Sequence, residues 1–240
     1  MTDNAFALPD LRRRLTDDGH IFAPNAVTQT LLPADFAAHW PAFAASWDDL
    51  GPDRFMADGG RYRKRRHAVF SLSDGAFTRE AHQPHYQSRD YNLLNGGVQR
   101  WFDPVTEATA TNPAFRALLD LCRDLFNAAA SDWRVEIHQF RIEPAPDGTG
   151  QPTPEGMHRD GVDWVAVILV DRLNVGEGVT AICCPGRQPL GTFTLTDPLD
   201  AVFLDDHRVL HGVTPIHRLD QTEPGHRDVL VVTFQRQPQI

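Results

Sequence analysis

A series of short, strand-like segments fills the second half of the chain and restricts the possible folds more than any other feature. β-Branched and aromatic runs alternate there with turns rich in Gly, Pro, Asp and Asn. Such a series, with most helices placed before it, is typical of an antiparallel sandwich or jelly roll supported by helices. The predicted strands are 133–142, 162–170, 179–184, 191–195, 201–203, 211–216 and 228–234.

Three helices are predicted before these strands. Residues 8–18, 33–47 and 113–130 each place apolar side chains three or four positions apart, as an amphipathic helix does. The resulting fold class is mainly β with flanking helices (α+β). The 240 residues show no repeat and no linker, so we expect one domain over 1–240, with a mostly helical buttress at 1–60 and the β core at 130–236.

Charge and cysteine content narrow the classes of function. A formal net charge of −9 argues against nucleic acid and anionic membranes as partners, and no apolar run reaches the length of a membrane span. The N-terminus lacks the apolar region of a signal peptide. Cys122, Cys183 and Cys184 form no Cys-x-x-Cys pair and no disulfide framework, so a reducing cytoplasm is expected. We expect a monomer or a homodimer.

A candidate metal site precedes the longest uncharged apolar run of the chain. His158 and Asp160 are two residues apart, and in an extended strand such residues point to the same face. His211, on another predicted strand, is the best candidate for a third ligand. Two histidines and one carboxylate are the ligand set of non-haem Fe(II) oxygenases, with positions left open for a cosubstrate and O₂. The sequence therefore predicts a catalytic Fe(II) site at His158, Asp160 and His211.

Arg227, at the start of the last predicted strand, is the candidate for binding 2-oxoglutarate, the cosubstrate of many such sites. The distal carboxylate of 2-oxoglutarate would be buried, and a buried carboxylate requires a cationic, preferably bidentate, partner. Thr233 shares the face of Arg227 by period-two counting, and Thr214 follows His211. Either hydroxyl is a candidate second donor. A surface arginine that caps the strand is the alternative interpretation of Arg227.

A basic run from Arg61 to Arg66 stands out in this acidic chain. It is typical of an edge strand, where Lys and Arg discourage pairing with another sheet, or of a cationic wall that binds carboxylate ligands. Glu136 and His138 share one face of a later strand, where a polar pair is costly unless it meets a ligand. A satisfied core or rim histidine is an equally good interpretation of His138.

Long segments also carry a family resemblance, and they occur in one order along the chain: 91–92 with 95–97, 138–142, 152–156, 158–163, 198–200, 205–206, 208–216 and 227–234. They resemble the 2-oxoglutarate/Fe(II) dioxygenase family that includes the bacterial L-isoleucine dioxygenases, which hydroxylate free amino acids. The resemblance covers roughly residues 60 to 236. It implies a double-stranded β-helix, Fe(II) at His158, Asp160 and His211, and 2-oxoglutarate near Arg227.

Two positions depart from the pattern of that family. Residues 176–180 stand where Gly-Gly-Glu-Ser is expected, and Val229 stands where many oxygenases of the wider superfamily have a serine. The first departure lies in a loop that is expected near the mouth of the site. Substrate identity is therefore not carried over from the family.

The predicted reaction is hydroxylation of an unactivated C–H bond in a free L-amino acid, with 2-oxoglutarate converted to succinate and CO₂. Aliphatic side chains such as Ile, Leu or Met are the family's usual substrates, and a longer polar one such as citrulline or arginine remains open. Asp160 favours hydroxylation over halogenation, because related halogenases lack this carboxylate. Candidate partners for the substrate carboxylate are Arg61, Arg63, Arg66 and Arg141, and those for its ammonium group are Glu136, Asp163 and Glu177.

Other classes of function use the same residues. A Zn²⁺ or Mn²⁺ hydrolase, or a cupin-type isomerase, would need the three ligands but not 2-oxoglutarate. A non-catalytic cupin-like protein would bind 2-oxoglutarate or an amino acid without releasing succinate, although the intact triad and Arg227 count against it. A protein-modifying hydroxylase is less favoured, because nothing in the chain resembles a peptide-binding module.

Overall fold

A computed structural model describes residues 7–92 and 94–237 as two layers of β-sheet with helices packed on the outside of the larger layer. None of the helices in this part of the chain has the length and apolarity needed to cross a bilayer. The helices are α1 (Leu8–Asp18), α2 (Asn25–Thr30), α3 (Phe36–Ala44), α4 (Glu107–Ala110) and α5 (Pro113–Leu125), with 3-10 turns at Ala45–Trp47 and Ala128–Ala130.

The strands pair in an antiparallel manner in three sheets. They are β1 (His20–Ala23), β2 (Arg63–Ser73), β3 (Ala76–Arg79), β4 (Trp133–Ile142), β5 (Trp164–Leu173), β6 (Val175–Glu177), β7 (Val179–Cys183), β8 (Pro189–Thr194), β9 (Ala201–Asp205), β10 (Leu210–Val213), β11 (Ile216–Arg218) and β12 (His226–Arg236). The large sheet has the order β1-β9-β5-β12-β4-β2-β3. The second layer consists of β10-β7-β8 and β11-β6.

The two layers face each other across an apolar interior. Val165 and Leu204 of the large sheet pack against Ile182 and Phe193 of the small layer. Alternate residues of each strand point into this space, as the period of two requires. The predicted fold class, a mainly β jelly roll with flanking helices, is confirmed.

The helices cover the other face of the large sheet. Phe43 of α3 and Phe115 of α5 are fully buried there, and their ring centroids lie 6.0 Å apart. Trp47 is also buried and donates its indole N–H to the Phe140 carbonyl at 3.0 Å. Burial on both faces makes the central strands a rigid support for the side chains that point into the barrel.

Local details differ from the sequence prediction for identifiable reasons. The predicted strand 211–216 is two strands, because Pro215 lacks an N–H; β10 pairs with β7, and β11 pairs with β6. The predicted helix 113–130 ends at Leu125, since Asn127 adopts a left-handed φ of 53°. The short elements α2, α4 and β6 were not predicted.

Candidate active site

His158, Asp160 and His211 meet inside the barrel. The carboxylate of Asp160 lies between the two imidazoles, with Oδ1 3.7 Å from His158 Nε2 and Oδ2 3.6 Å from His211 Nε2. One ligand atom from each residue lies within 4.8 Å of the other two. This arrangement is the donor set that the sequence analysis assigned to Fe(II).

The backbone fixes the two histidines opposite each other. His158 and His211 form an isolated antiparallel bridge, in which each N–H donates to the carbonyl of the other at 3.0 and 2.9 Å. Residues paired in this way project side chains to one side. The His158 Nδ1–H donates to the Gly156 carbonyl at 2.9 Å, which leaves Nε2 free to face Asp160 and a metal ion.

The electrostatics of these three side chains favour a cation at their centre. Burial lowers the pKa of His158, but the carboxylates of Asp160 and Glu155 outweigh it and raise that pKa to about 9. Burial and the charge of His158 lower the pKa of His211 to about 4. The Asp160 carboxylate therefore stabilises one positive charge between the two imidazoles. A divalent cation bound by the same atoms fulfils this role, so the donor set fits iron.

Asp206 holds in place residues 158–162, called here the metal-binding loop because it carries two of the candidate ligands, and sequence reasoning did not give it that role. Its carboxylate accepts the backbone N–H groups of Asp160, Gly161 and Val162 at 3.0, 2.7 and 3.1 Å. Burial and the charge of Asp160 raise the pKa of Asp206 to about 6 against these hydrogen bonds. The three N–H groups orient Asp160 before any metal binds.

Arg227 lines the same cavity as the triad. This inner cavity has a volume of about 120 Å³ and is bounded by His158, Asp160, His211, Thr180, Val229 and Arg227. Arg227 is 2% exposed, and its Nε and Nη2 atoms have no hydrogen-bond partner among the described residues. Burial and the charge of Arg172 lower the pKa of Arg227 to about 10. An unpaired buried guanidinium is a site for a carboxylate.

The hydroxyl donors that were predicted beside Arg227 lie elsewhere. Thr233 is on the same face of β12 but further along the strand, where it lines a second cavity. Thr214 is exposed, and its Oγ1 accepts the Val179 N–H at 2.9 Å. Thr180, which was not predicted, is 3% exposed and lines the inner cavity with Arg227. Its side chain comes from β7, in the opposite layer, so period-two counting on β12 cannot reveal it.

The second cavity, called here the outer cavity, has a volume of about 440 Å³ and adjoins the inner one. Asp160, Glu155, Arg63, Phe140 and Val231 line both. Four arginines face the outer cavity, namely Arg63, Arg65, Arg100 and Arg134. Since the outer cavity meets the metal site at Asp160, it is the candidate substrate site.

A cluster of histidines around Glu136 forms the wall of the outer cavity opposite the metal site. The Glu136 carboxylate accepts from His67 Nε2 at 2.9 Å, His85 Nδ1 at 2.6 Å and Arg134 Nε at 2.9 Å. Burial raises the pKa of Glu136, but these hydrogen bonds lower it well below its ordinary value. The His67 and His138 rings stack at 4.9 Å. One ligand atom from each of His67, His85, Glu136 and His138 lies within 4.8 Å of the others, which is close enough for a metal ion.

The hydrogen bonds of His138 argue against a metal in that cluster. Arg65 donates to His138 Nδ1 at 2.6 Å, so the proton of the neutral ring is on Nε2, the atom nearest to Glu136. Burial, together with the Arg65 charge, lowers the pKa of His138 well below its ordinary value. We interpret the cluster as a neutral, hydrogen-bonded wall.

The candidate substrate residues divide by the face on which they lie. Glu136, His138 and Arg63 line the outer cavity. Arg66 points the other way and pairs with Asp49 at 3.0 Å. Arg141 also points outwards, where it binds Asp228 at 2.8 and 2.7 Å. These directions follow from strand alternation in β2 and β4.

The remaining candidates lie away from both cavities. Arg61 is exposed before β2. Asp163 accepts the Arg236 N–H at 2.8 Å and lies 3.3 Å from His207. Glu177 sits at the end of β6 with φ 59°, and its carbonyl accepts from Arg172 at 2.6 Å. Cavity-lining residues that sequence reasoning missed are Arg65, His85, Arg100, Arg134 and Glu155.

Residues 82–92 and 94–101, called here the 82–101 segment, contribute to the lining of the outer cavity and are tied to the candidate metal site. Gln87 donates from its side-chain amide to the carbonyl of Asp160 at 3.0 Å. His85 and Arg100 exchange backbone hydrogen bonds at 3.0 and 2.9 Å, which close the base of the segment. Gly161 has φ 82°, and a Cβ there would lie 2.5 Å from the Tyr91 ring. Only glycine allows this ring to pack on the metal-binding loop.

Acidification is expected to destabilise the fold through His85. Burial lowers the pKa of His85 to about 4 from 6.5. Above about pH 6.5 the ring is neutral in both states and has no effect, whereas at lower pH only the unfolded chain binds the proton. His85→Gln keeps a donor for Glu136 but does not titrate. The unfolding free energy of the metal-free wild type and variant is measured with urea at pH 7 and at pH 5. Between these two pH values the variant should lose up to about 2 kcal/mol less than the wild type. Equal losses would refute this assignment.

Comparison with known proteins decides the family. Residues 44–233 match the model of the 2OG-Fe dioxygenases. The chain belongs to this family. The predicted enzyme class and the predicted use of Fe(II), 2-oxoglutarate and O₂ are thereby confirmed.

Three relatives illustrate the similarity of this dioxygenase to known proteins. It is 27% identical over 168 residues to the 3(1)-hydroxy-L-isoleucine 4-dioxygenase of Pantoea ananatis (strain AJ13355), covering 68% of both chains. It is 26% identical over 164 residues to the L-isoleucine-4-hydroxylase of Bacillus thuringiensis, covering 62% of this chain and 64% of that relative. The crystal structure of a bsmA homolog from Methylobium petroleophilum PM1 matches with a TM-score of 0.85 and 37% identity, over 96% of this chain and 93% of that one.

Proposed function

We propose that this dioxygenase hydroxylates a C–H bond in the side chain of a free L-amino acid and converts 2-oxoglutarate to succinate and CO₂. The observation that carries the proposal is the joining of two cavities at Asp160. The inner one holds the triad and the unpaired Arg227, and the outer one has room for a separate substrate. The names of the two curated relatives, both acting on isoleucine or its hydroxylated form, support an amino-acid substrate.

Each residue of the inner cavity has a proposed role. His158 Nε2, Asp160 and His211 Nε2 would hold Fe(II). Arg227 would bind the distal carboxylate of 2-oxoglutarate, and the Thr180 hydroxyl is the nearby candidate for a second donor. When bound, the iron and its cosubstrate supply the oxidation of an unactivated C–H bond with O₂. Val167, Val229 and Val231 line the same cavity and exclude water from it.

The lining of the outer cavity favours an aliphatic side chain over a longer polar one. Phe140, Val162 and Val231 line it on the side of Asp160 and would surround the reacting carbon with apolar atoms. Glu136, the carboxylate that would bind a cationic chain end, is already hydrogen-bonded by His67, His85 and Arg134. Isoleucine, leucine and methionine are therefore preferred to citrulline and arginine.

The test is anaerobic reconstitution with Fe(II) and 2-oxoglutarate, followed by exposure to air with a panel of amino acids that starts with L-isoleucine. The expected result is succinate release that depends on the amino acid, together with a mass gain of one oxygen atom in that amino acid. Binding of 2-oxoglutarate without coupled succinate for any amino acid would overturn the proposal. Turnover of an amino acid without 2-oxoglutarate would instead favour a hydrolase or isomerase.

Cytoplasmic location is also a proposal. The three cysteines are free, and Cys122 is buried, where burial raises its pKa and keeps the thiol inert. Free thiols are typical of a reducing compartment.

A further inference from the structure

Arg100 is a buried cation without an anionic partner. It is 3% exposed and lines the outer cavity, and within residues 7–92 and 94–237 its guanidinium has no hydrogen bond or ion pair, although it lies 5.7 Å from the centre of the Phe102 ring. Burial and the charge of Arg63 lower the pKa of Arg100. A buried charge of this kind is costly unless a ligand or a neighbour compensates it. The wall therefore offers an unfilled place for an anion.

The other three arginines of the outer cavity are occupied. Arg63 Nε donates to Asp53 at 2.8 Å. Arg65 lies 3.7 Å from the same carboxylate and is sandwiched between the Phe102 and Phe140 rings, at 3.6 and 4.4 Å. Arg134 pairs with Glu136 at 2.9 Å. Arg100 is thus the arginine of this cavity whose charge a substrate carboxylate would neutralise.

Glu155 is the corresponding unpaired carboxylate. Its Oε2 is buried without a partner among the described residues, and its Oε1 lies 3.4 Å from His158 Nε2. That nitrogen is committed to the metal when iron is bound, which leaves Glu155 without a donor. Glu155 also lines both cavities, so it stands at their junction. Glu136, the other carboxylate of this wall, is fully hydrogen-bonded.

We propose that Arg100 binds the α-carboxylate and Glu155 binds the α-ammonium group of the amino-acid substrate. This inference rests on the proposed function and deepens it. One free cation and one free anion in a single cavity complement a zwitterion, and they leave no charge uncompensated when both ends are bound. A residue within a peptide has neither terminal charge, so this pair selects free amino acids. Because Glu155 lies beside the triad and Arg100 does not line the inner cavity, the ammonium end lies nearer to the iron.

Ligands that lack one of the two charged groups distinguish substrate binding by Arg100 and Glu155 from a structural role. The holoenzyme with Fe(II) and 2-oxoglutarate is titrated anaerobically by calorimetry with L-isoleucine, its methyl ester and its desamino acid, or with the same three forms of the panel's best amino acid. Arg100→Gln should weaken binding of the amino acid at least about 30-fold, the scale for truncating one partner of a buried charged pair. It should leave the ester, which lacks the carboxylate, unchanged. Glu155→Gln should weaken the amino acid and spare the desamino acid.

The controls are charge-matched variants outside the cavity. Arg89→Gln removes an exposed arginine from the same segment as Arg100, and Glu143→Gln removes a surface partner of Lys64. Both should bind all three ligands as the wild type does. All variants should keep the wild-type affinity for 2-oxoglutarate, which shows that the inner cavity is intact. Arg100→Lys keeps the charge but not the bidentate hydrogen bonding of the guanidinium. Its affinity for the amino acid should therefore fall less than that of Arg100→Gln, and its affinity for the ester should not change.

The outcomes separate the two proposals. A wild-type protein that binds 2-oxoglutarate but no amino acid refutes the proposed function and this inference with it. Wild-type amino-acid turnover with unchanged binding in Arg100→Gln and Glu155→Gln refutes only the inference. The inference is also refuted if Arg100→Gln weakens the binding of the amino acid and of the ester equally, because the arginine would then act on structure rather than on the carboxylate. If the glutamine variant does not fold, Arg100→Lys provides the same comparison.

Discussion

Arg227→Met is expected to abolish the binding of 2-oxoglutarate and, at the same time, to make the ligand-free protein more stable. The guanidinium is buried with two unpaired nitrogens, so the folded chain bears its desolvation cost until a carboxylate arrives. Methionine has a similar length and no charge. We expect the affinity for 2-oxoglutarate to fall at least about 100-fold, or about 3 kcal/mol. The unfolding free energy of the ligand-free protein should rise by about 1–2 kcal/mol.

Arg141→Met provides the matched control, because Arg141 lies on the neighbouring strand with the opposite orientation. Its guanidinium binds the buried Asp228 at 2.8 and 2.7 Å, so its loss removes both of these hydrogen bonds from a buried carboxylate. We expect this variant to lose about 3 kcal/mol of unfolding free energy and to keep its affinity for 2-oxoglutarate. Urea unfolding and anaerobic calorimetry measure both quantities. If Arg227→Met destabilised the ligand-free protein as Arg141→Met does, Arg227 would be a structural residue.

Asp160→Asn is expected to remove both iron binding and turnover. The amide has the shape of the carboxylate but lacks the negative charge that faces both imidazoles. Loss of a residue that only hydrogen-bonds to a metal ligand lowers metal affinity roughly 10–100-fold. Asp160 is itself a candidate ligand, so we expect a larger loss of Fe(II) affinity. Succinate release should fall in parallel, with and without an amino acid. Anaerobic equilibrium dialysis with Fe(II) gives the affinity independently of turnover.

His207→Ala is the control for that experiment, since His207 lies close to the ligand His211 in sequence but its side chain is 68% exposed. It should retain Fe(II) binding and 2-oxoglutarate turnover. Iron-dependent succinate release that survives in Asp160→Asn would exclude Asp160 from the metal site, and with it the assigned triad.

The sequence predicted local elements and their faces well where one pattern was unambiguous. The bounds of β4 and α1 agree with the prediction, because each has a strong period and clear ends. His158 and Asp160 were expected to share a face through strand alternation; they do face each other, but in the loop before β5 and not in a strand. In β2, however, arginines occupy both parities, so the sequence does not show which point inwards. The structure turns Arg63 and Arg65 into the barrel and Arg66 out of it.

The outer cavity was hidden from sequence reasoning because tertiary pairing creates it. The β2–β4 register places His67 opposite His138, although the two are far apart in the chain. Arg100 comes to the cavity through its bridge with His85, in a segment whose local pattern indicates only a turn. Thr180 lines the inner cavity with Arg227 from the opposite layer. Such neighbours depend on strand order and register, and neither can be inferred from the local patterns of a single sequence.

The substrate anchors and the iron ligands are carried by different pieces of chain, and this has a consequence for how the protein can change. Glu155 shares a short loop with His158, so its position and that of the metal vary together. Arg100 belongs to the 82–101 segment, which carries none of the three ligands. Insertions or replacements in that segment can alter the accepted amino acid while every intermediate variant keeps a working iron centre. The hydrogen bond from Gln87 to Asp160 and the packing of Tyr91 on Gly161 limit this freedom to the part of the segment beyond Asn92, which is where a directed-evolution library should be placed.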